Sequence, residues 1–300
     1  MDKLADITLL QAFVAVADAQ SFAEGARKLG LTRSAAGKAV ARLESMMEVR
    51  LLHRTTRSVS LTSEGQVFYR RVSQILSDLE DAQAEVQFRD ARPRGVLRIT
   101  APEAFGRNVI LPILTSFLKQ WPDVRAEASF TDDIVDIVEE GFDMAIRLGM
   151  PTASSDLIVR TIARSVAVLC ASPEYLAQFG RPSSIEELLM HRQLLSGSRD
   201  NPRGWVLHIN RESEFAVPAK PFLLCDNAGA LRDAALAGLG IACLPEFLVD
   251  HDIKSSALES VLGLTTAEFP VCIVYPTKRH LSPKVRLFID LMVEKLRECT

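Results

Sequence analysis

An α+β amino-terminal domain, a long connecting helix and an α/β carboxy-terminal domain are predicted for this 300-residue chain. Three observations carry the prediction. Apolar residues recur at intervals of three and four through the first third of the chain, the spacing of one face of a helix. Beyond residue 95, strand-like and helix-like runs alternate, as they do where helices layer on a sheet. The charge also reverses: residues 1–94 carry a net +2 and residues 95–300 a net −5, so two domains with different partners are expected.

The amino-terminal elements follow in order. Leu10, Val14 and Ala17 continue the face of a first helix. Ser21 caps a second helix with Phe22, Ala26 and Leu29 inward, and Gly30 ends it. Thr32 caps a third, in which Ala36, Val40, Leu43 and Met47 form one apolar face. Arg33, Ser34, Gly37, Lys38 and Ala41 fall on the other face, with Arg42 beside them. That face is small and basic, so it fits a DNA major groove and offers donors to phosphates and base edges. A solvated helical hairpin is the alternative for this segment alone. Residues Leu51 to Leu61 alternate β-branched and apolar side chains and read as a two-stranded wing, with Arg54, Thr56 and Arg57 near its tip to meet the phosphate backbone. Residues 21–71 hold ten Lys or Arg against four Asp or Glu, whereas the whole-chain pI is near 6.0. Basic charge is concentrated on one segment, which argues for selective and not indiscriminate nucleic-acid binding.

Thr62 is the expected cap of a helix of roughly 25 residues, about 37 Å long at 1.5 Å per residue. Within it Phe68, Val72, Ile75, Leu79, Ala82 and Val86 repeat at four, three, four, three and four, a heptad seam suited to a partner helix. At least a dimer is expected, with packing against the chain's own domain as the competing arrangement. Residues 89–95, Arg-Asp-Ala-Arg-Pro-Arg-Gly, interrupt the periodicity and read as a hinge. The predicted domains are therefore 1–61, a winged helix-turn-helix; 62–88, a dimerisation helix; 89–95, a hinge; and 96–300, an α/β domain.

In that last domain strands are predicted at Val96–Thr100, Asp123–Phe130, Phe142–Leu148, Leu157–Ile162, Val166–Ala171 and Val271–Tyr275. Helices are predicted around Ile110–Lys119, at Asp133–Glu140, near Tyr175, at Ile185–Met190, and from an Asn227 cap to Ala237. A final helix opens at Ser282-Pro283 with Val285, Phe288, Met292 and Leu296 inward.

Residues 1–94 resemble the winged helix-turn-helix of LysR-type transcriptional regulators. The resemblance rests on Phe13, Ser21-Phe22, Ala26, Leu29, Leu31-Thr32, Arg42-Leu43-Glu44, the Leu51 to Arg57 run and Leu61 to Gly65. It extends through Ile99 to Pro102, Gly141 to Gly149, Leu169 to Pro173, Leu231 to Ile241 and Val274 to Pro276. The recognition helix departs from the family pattern, which commonly has proline or glutamine at Arg33, serine at Gly37 and arginine at Lys38. Gly37 costs on the order of 1 kcal/mol of helix stability relative to alanine, and Lys38 offers a point charge where arginine offers a planar fork. A different operator sequence is the expected consequence. Close approach of another backbone is the alternative explanation of Gly37.

The resemblance implies a two-lobed effector domain like a periplasmic binding protein, a tetramer built as a dimer of dimers, and an effector held between the lobes. Helix N-termini after parallel strands would attract a carboxylate or phosphate there. Candidate contacts are Thr100 and Glu103 at the first such turn, Arg147 at a strand end, and Ser196 and Asn227 from the second lobe. Arg147 is the best anchor for an anion unless it bridges to Asp143, and Asn227 also suits a helix cap.

Enzymatic chemistry finds no support. The five cysteines, Cys170, Cys225, Cys243, Cys272 and Cys299, form no Cys-x-x-Cys pair, and the five histidines have no ligand spacing. There is no Gly-x-Ser-x-Gly elbow, phosphate-binding loop or dinucleotide turn, so no metal and no cofactor is expected. Cys170 suits a strand-end core position better than a nucleophile or redox sensor. Lys3 with Ile7–Ala17 faintly resembles a signal peptide, but Asp6 and Gln11 interrupt it and the helical face runs on. Unpaired cysteines then fit a cytoplasmic protein. The expected partners are double-stranded promoter DNA, a small organic acid, further copies of the chain and RNA polymerase. The rival is a small-molecule binding protein or enzyme with an ancillary amino-terminal hairpin.

Overall fold

The computed structural model describes residues 6–54, 59–86, 92–151, 156–210, 213–277 and 281–298. It comprises two compact units, residues 1–95 with 139–141, and residues 96–138 with 142–300.

The first unit begins with α1 (Ile7–Ala19), α2 (Phe22–Lys28) and α3 (Arg33–Met47). Each start is set by its own side chain: Asp6 accepts from the Thr8 amide, Ser21 Oγ from Glu24 at 3.4 Å, and Thr32 Oγ1 from Ala35 at 3.1 Å. Their inward faces meet in one core of Leu9, Leu10, Phe13, Val16, Ala26, Ala36, Val40 and Leu43, completed by Leu51, Leu52 and Val72. Leu29 is not part of it. The second helix stops at Lys28, so Leu29 lies beyond the last turn at 37% exposure, and Gly25 and Ala26 take the buried positions. The wing is an antiparallel pair, β1 (Leu52–Arg54) and β2 (Val59–Leu61), with Leu52 opposite Leu61.

The long helix α4 (Ser63–Val86) has Thr62 as its cap, whose Oγ1 accepts from the Gly65 amide at 2.8 Å and donates to the Arg50 carbonyl at 2.8 Å. Its predicted seam divides in two. Val72, at 2% exposure, is buried in the unit's own core, where Phe68, Tyr69 and Leu76 also pack, and the Phe68 ring lies 5.5 Å from that of Phe13. Val72 and Phe68 are thus occupied by α1, because the helix presents a wide stripe to its own domain as well as a second, outward one. Outward-facing are Ile75 and, two turns before it and off the seam, Val67, while Leu79 is half-buried. The side chains of Ala82 and Val86 lie outside the described residues, as do positions 89–91 of the hinge.

The second unit has two lobes. Lobe I is a five-stranded sheet in the order β4-β3-β5-β15-β6, from β3 (Gly95–Ala101), β4 (Val124–Phe130), β5 (Met144–Leu148), β6 (Leu157–Ser165) and β15 (Phe269–Pro276). Strands β3 and β5 are parallel, and β15 runs antiparallel to β5 and β6. One face is covered by α6 (Leu111–Gln120) and α11 (Pro283–Glu298), whose Phe117 and Phe288 rings stack edge-on at 5.2 Å. Before α6 the chain runs through α5 (Glu103–Phe105) and a π-type turn at Gly106–Ile110.

Lobe II is an eight-stranded sheet in the order β11-β10-β14-β7-β13-β8-β12, with β9 (Asn201–Arg203) paired to β8. Its strands are β7 (Ala167–Ala171), β8 (Gln193–Ser198), β10 (Val206–Asn210), β11 (Ser213–Ala216), β12 (Pro221–Cys225), β13 (Ile241–Pro245) and β14 (Glu259–Thr266). Around them lie α7 (Pro173–Phe179), α8 (Ile185–Leu188), α9 (Ala228–Leu236) and α10 (Glu246–Lys254). The chain crosses between lobes twice, at Val166 and at Ala267-Glu268, and Thr266 Oγ1 accepts from the Ala167 amide at 3.0 Å to tie the crossings together.

No helix forms at Asp133–Glu140. Thr131 Oγ1 accepts from the Asp133 amide at 3.1 Å and Asp136 Oδ1 from Val138 at 2.9 Å, so local side-chain bonds hold turns in place of helical ones. Ile134 is left 95% exposed.

Candidate functional site

The exposed face of α3 carries Arg33, Ser34, Lys38, Ala41 and Arg42 together. Ser34, Lys38 and Arg42 succeed one another at intervals of four, which aligns them along the helix, and Arg33 and Gly37 form the neighbouring row. Burial of Ala36, Val40 and Leu43 on the opposite side fixes which way this face points. Ser21 and Thr32 serve as helix caps, each with its hydroxyl at the start of one helix of the hairpin. Arg54 closes β1, but its side chain, together with Thr56 and Arg57, lies outside the described residues.

At the carboxyl end of the lobe I strands, Thr100 on β3 pairs with Ala145 on β5, which puts Arg147 two residues further along on Thr100's face. Thr100 is fully buried, and its Oγ1 has no hydrogen-bond partner among the described residues. Arg147 is half-buried, and burial works against its charged form. Its Nη1 donates to the Ile146 carbonyl at 3.3 Å, and no carboxylate among the described residues lies within ion-pairing distance of it. Asp143 instead accepts from the Arg98 amide at 2.8 Å. A guanidinium partly drawn out of water without a counter-charge carries a desolvation cost.

Glu103 and Asn227 meet across the lobes. Asn227 Oδ1 accepts from the Ala230 amide at 2.8 Å, capping α9, while its Nδ2 donates to Glu103 Oε2 at 3.3 Å. Beside them the Phe105 ring lies 4.9 Å from that of Phe247 on α10. Ser196 sits near the carboxyl end of β8, in register with Cys225 of β12, the strand that leads to Asn227. The expectation of open helix N-termini is corrected here: Asp132 Oδ1 accepts from the Glu103 amide at 3.1 Å, so a protein carboxylate already stands at the start of α5, as Asn227 does at α9. Asp132 is not among the sequence candidates, although a Thr-Asp-Asp turn directly after a strand is a signal for it.

Burial raises the Asp132 carboxyl above its ordinary value; the Glu103 amide opposes this, and the charges of Glu103, Asp226 and Asp133 add to it. The folded chain therefore holds more protons than the unfolded one in the window upward from 3.8, and stability falls as pH rises through it. Asp132→Asn keeps a carbonyl oxygen for the Glu103 amide and does not titrate. Denaturant unfolding should find this variant more stable than the parent at neutral pH, with the gap closing as pH falls toward 3.8; a pH-independent gap would show that the charge is not the cause.

Cys170 and Cys243, on adjacent strands, are both pushed up to about 12 by burial. At neutral pH neither is a thiolate, so Cys170 is a core residue and not a nucleophile. No described helix is long and apolar enough to cross a membrane.

Residues 7–66 match the family model described as bacterial regulatory helix-turn-helix protein, lysR family, and residues 90–297 match that of the LysR substrate binding domain. The chain is similar to the HTH-type transcriptional regulator CrgA of Neisseria meningitidis, with 33% identity over 289 residues and 96% of each chain covered. It is also similar to the HTH-type transcriptional regulator DmlR of Escherichia coli, with 34% identity over 299 residues, 99% of this chain and 97% of that one. The solved structure of CrgA, a LysR-type transcriptional regulator, superposes with a TM-score of 0.63 at 31% identity, over 96% of this chain and 98% of that chain.

Proposed function

The chain belongs to the LysR-type family of transcriptional regulators, and from that premise we propose that α3 lies in the major groove of promoter DNA, with a small organic acid held at Arg147 modulating its contacts. In this scheme Arg33, Ser34, Lys38 and Arg42 face the duplex, Ser21 and Thr32 stand at the phosphate backbone, and Arg54, Thr56 and Arg57 of the wing lie beside them. Thr100 and Ser196 add donors to the acid, and Glu103 and Asn227 close over it. The exposed Val67 and Ile75 of α4, with Leu79, favour helix pairing into a homodimer or homotetramer. RNA polymerase is a further partner in this scheme, and a DNA-bound role with buried thiols favours the cytoplasm. The family comprises transcription regulators and not enzymes, and the rival of an enzyme with an ancillary hairpin is not favoured.

The half-buried Arg147, with no ion-paired carboxylate among the described residues, carries the effector reading. A thermal-shift screen of small organic acids against the intact chain tests it, since a ligand that prefers the folded state raises the melting temperature. Hits should be anionic and should lose at least about tenfold in affinity in Arg147→Ala, the scale of one charge-assisted hydrogen bond. Neutral or cationic hits that bind Arg147→Ala unchanged would remove Arg147 as the anchor.

A further inference from the structure

Residues 6–86 contain four glycines, and the fold accounts for three of them. A Cβ on Gly25 would stand 2.6 Å from Val16 Cα, and one on Gly65 would stand 1.9 Å from the Leu51 carbonyl oxygen, so both mark points where backbones touch. Gly30 has φ +68°, a conformation that side chains disfavour. Gly37 meets neither need. It lies inside α3, its φ is not positive, and an added Cβ would find no atom beyond its own helix backbone and immediate neighbours within 4 Å among the described residues. No other backbone among the described residues is therefore what it accommodates. Glycine in a helix interior also weakens the helix, so folding alone would replace it.

What surrounds Gly37 is the exposed basic face: Arg33 and Ser34 one turn before, Lys38 next to it, Ala41 one turn after. We propose that Gly37 is a specificity-determining residue, a notch in α3 that lets its backbone approach the edge of one base pair more closely than any residue with a side chain allows. This rests on the reading of α3 as the helix in the groove. A notch offers no donor or acceptor. It selects sterically, admitting base pairs whose major-groove substituents project at that level, of which the thymine C5-methyl is the largest. The contact is to bases and not to phosphates, so it alters sequence preference and leaves bulk affinity alone.

The test is selection from a randomised pool of duplex DNA by the intact chain, its Gly37→Ala and Gly37→Ser variants, and Arg33→Ala/Lys38→Ala. Both glycine variants should fold, with the melting temperature of Gly37→Ala unchanged or raised by a few degrees. They should bind the parent's selected duplex about tenfold more weakly and select a motif altered at one base pair per half-site. Affinity for unselected duplex should stay within about twofold. An unaltered motif with unaltered affinity would overturn the proposal, and so would an equal loss on all DNA. If Arg33→Ala/Lys38→Ala also bound DNA like the parent, the placement of α3 itself would fall; if only the double variant lost binding, the placement would stand and the role of Gly37 would fall.

Discussion

Replacing Arg33, Lys38 and Arg42 together by alanine is expected to weaken binding to promoter DNA about 100-fold or more. The slope of log affinity against log salt should flatten at the same time, by about 0.9 for each phosphate that the helix no longer neutralises. All three side chains are exposed, so stability should stay within roughly 0.5 kcal/mol of the parent. Fluorescence anisotropy of a labelled promoter duplex across a salt series reads both quantities, and a thermal melt confirms the fold. The two readouts separate the causes: a weakened affinity with an undiminished slope would mean that these side chains touch base edges and not phosphates. An unchanged affinity and slope would make the basic face a merely solvated one.

Asp252→Ala is expected to destabilise the second unit by about 2–3 kcal/mol, measured by denaturant unfolding of the intact chain. Asp252 is buried, and its two oxygens accept from Arg232 Nε at 2.5 Å and Nη2 at 2.6 Å. Removing it leaves the guanidinium beside the apolar core of α9 and α10 with the exposed Asp233, 3.4 Å from its Nη1, as its remaining ion-pair partner among the described residues. Because Arg232 retains partial access to water, the cost belongs below the roughly 3–5 kcal/mol of a fully enclosed pair. The damage should reach further than the pair. Asp252 anchors α10 to α9, and α9 presents Asn227 to Glu103, so the contact between the lobes should loosen along with stability. A variant with parental stability would show that the pair contributes little net energy.

The amino-terminal elements are legible in the sequence because their signals are local. Ser21, Thr32 and Thr62 cap the helices that follow them within three residues, and such signals do not depend on distant packing. Leu29 departs from expectation because α2 ends one residue before it. The α4 seam departs because spacings of three and four fit both an inward and an outward stripe, and only the arrival of Phe13 against Phe68 decides between them. The lobe II sheet is hard to see in the sequence over β8 to β14 because its pairings are long-range: β7 joins β13 and β14, more than 70 residues away in sequence. Arg147 is legible as a cation at a strand end. That Asp143 turns to the Arg98 amide follows from tertiary structure alone, and the Thr-Asp-Asp turn signals Asp132 as a turn residue without showing that it reaches the start of α5 from 29 residues away.

The two crossings between lobes, one residue at Val166 and two at Ala267-Glu268, run side by side under a shared Thr266–Ala167 bond. Two short, adjacent strands of backbone are thus the covalent link between the lobes. Beside them, Phe105 of α5 packs edge-on against Phe247 of α10, with ring centroids 4.9 Å apart. Any change in the angle between the lobes would have to be taken up in the backbone torsions of Val166, Ala267 and Glu268.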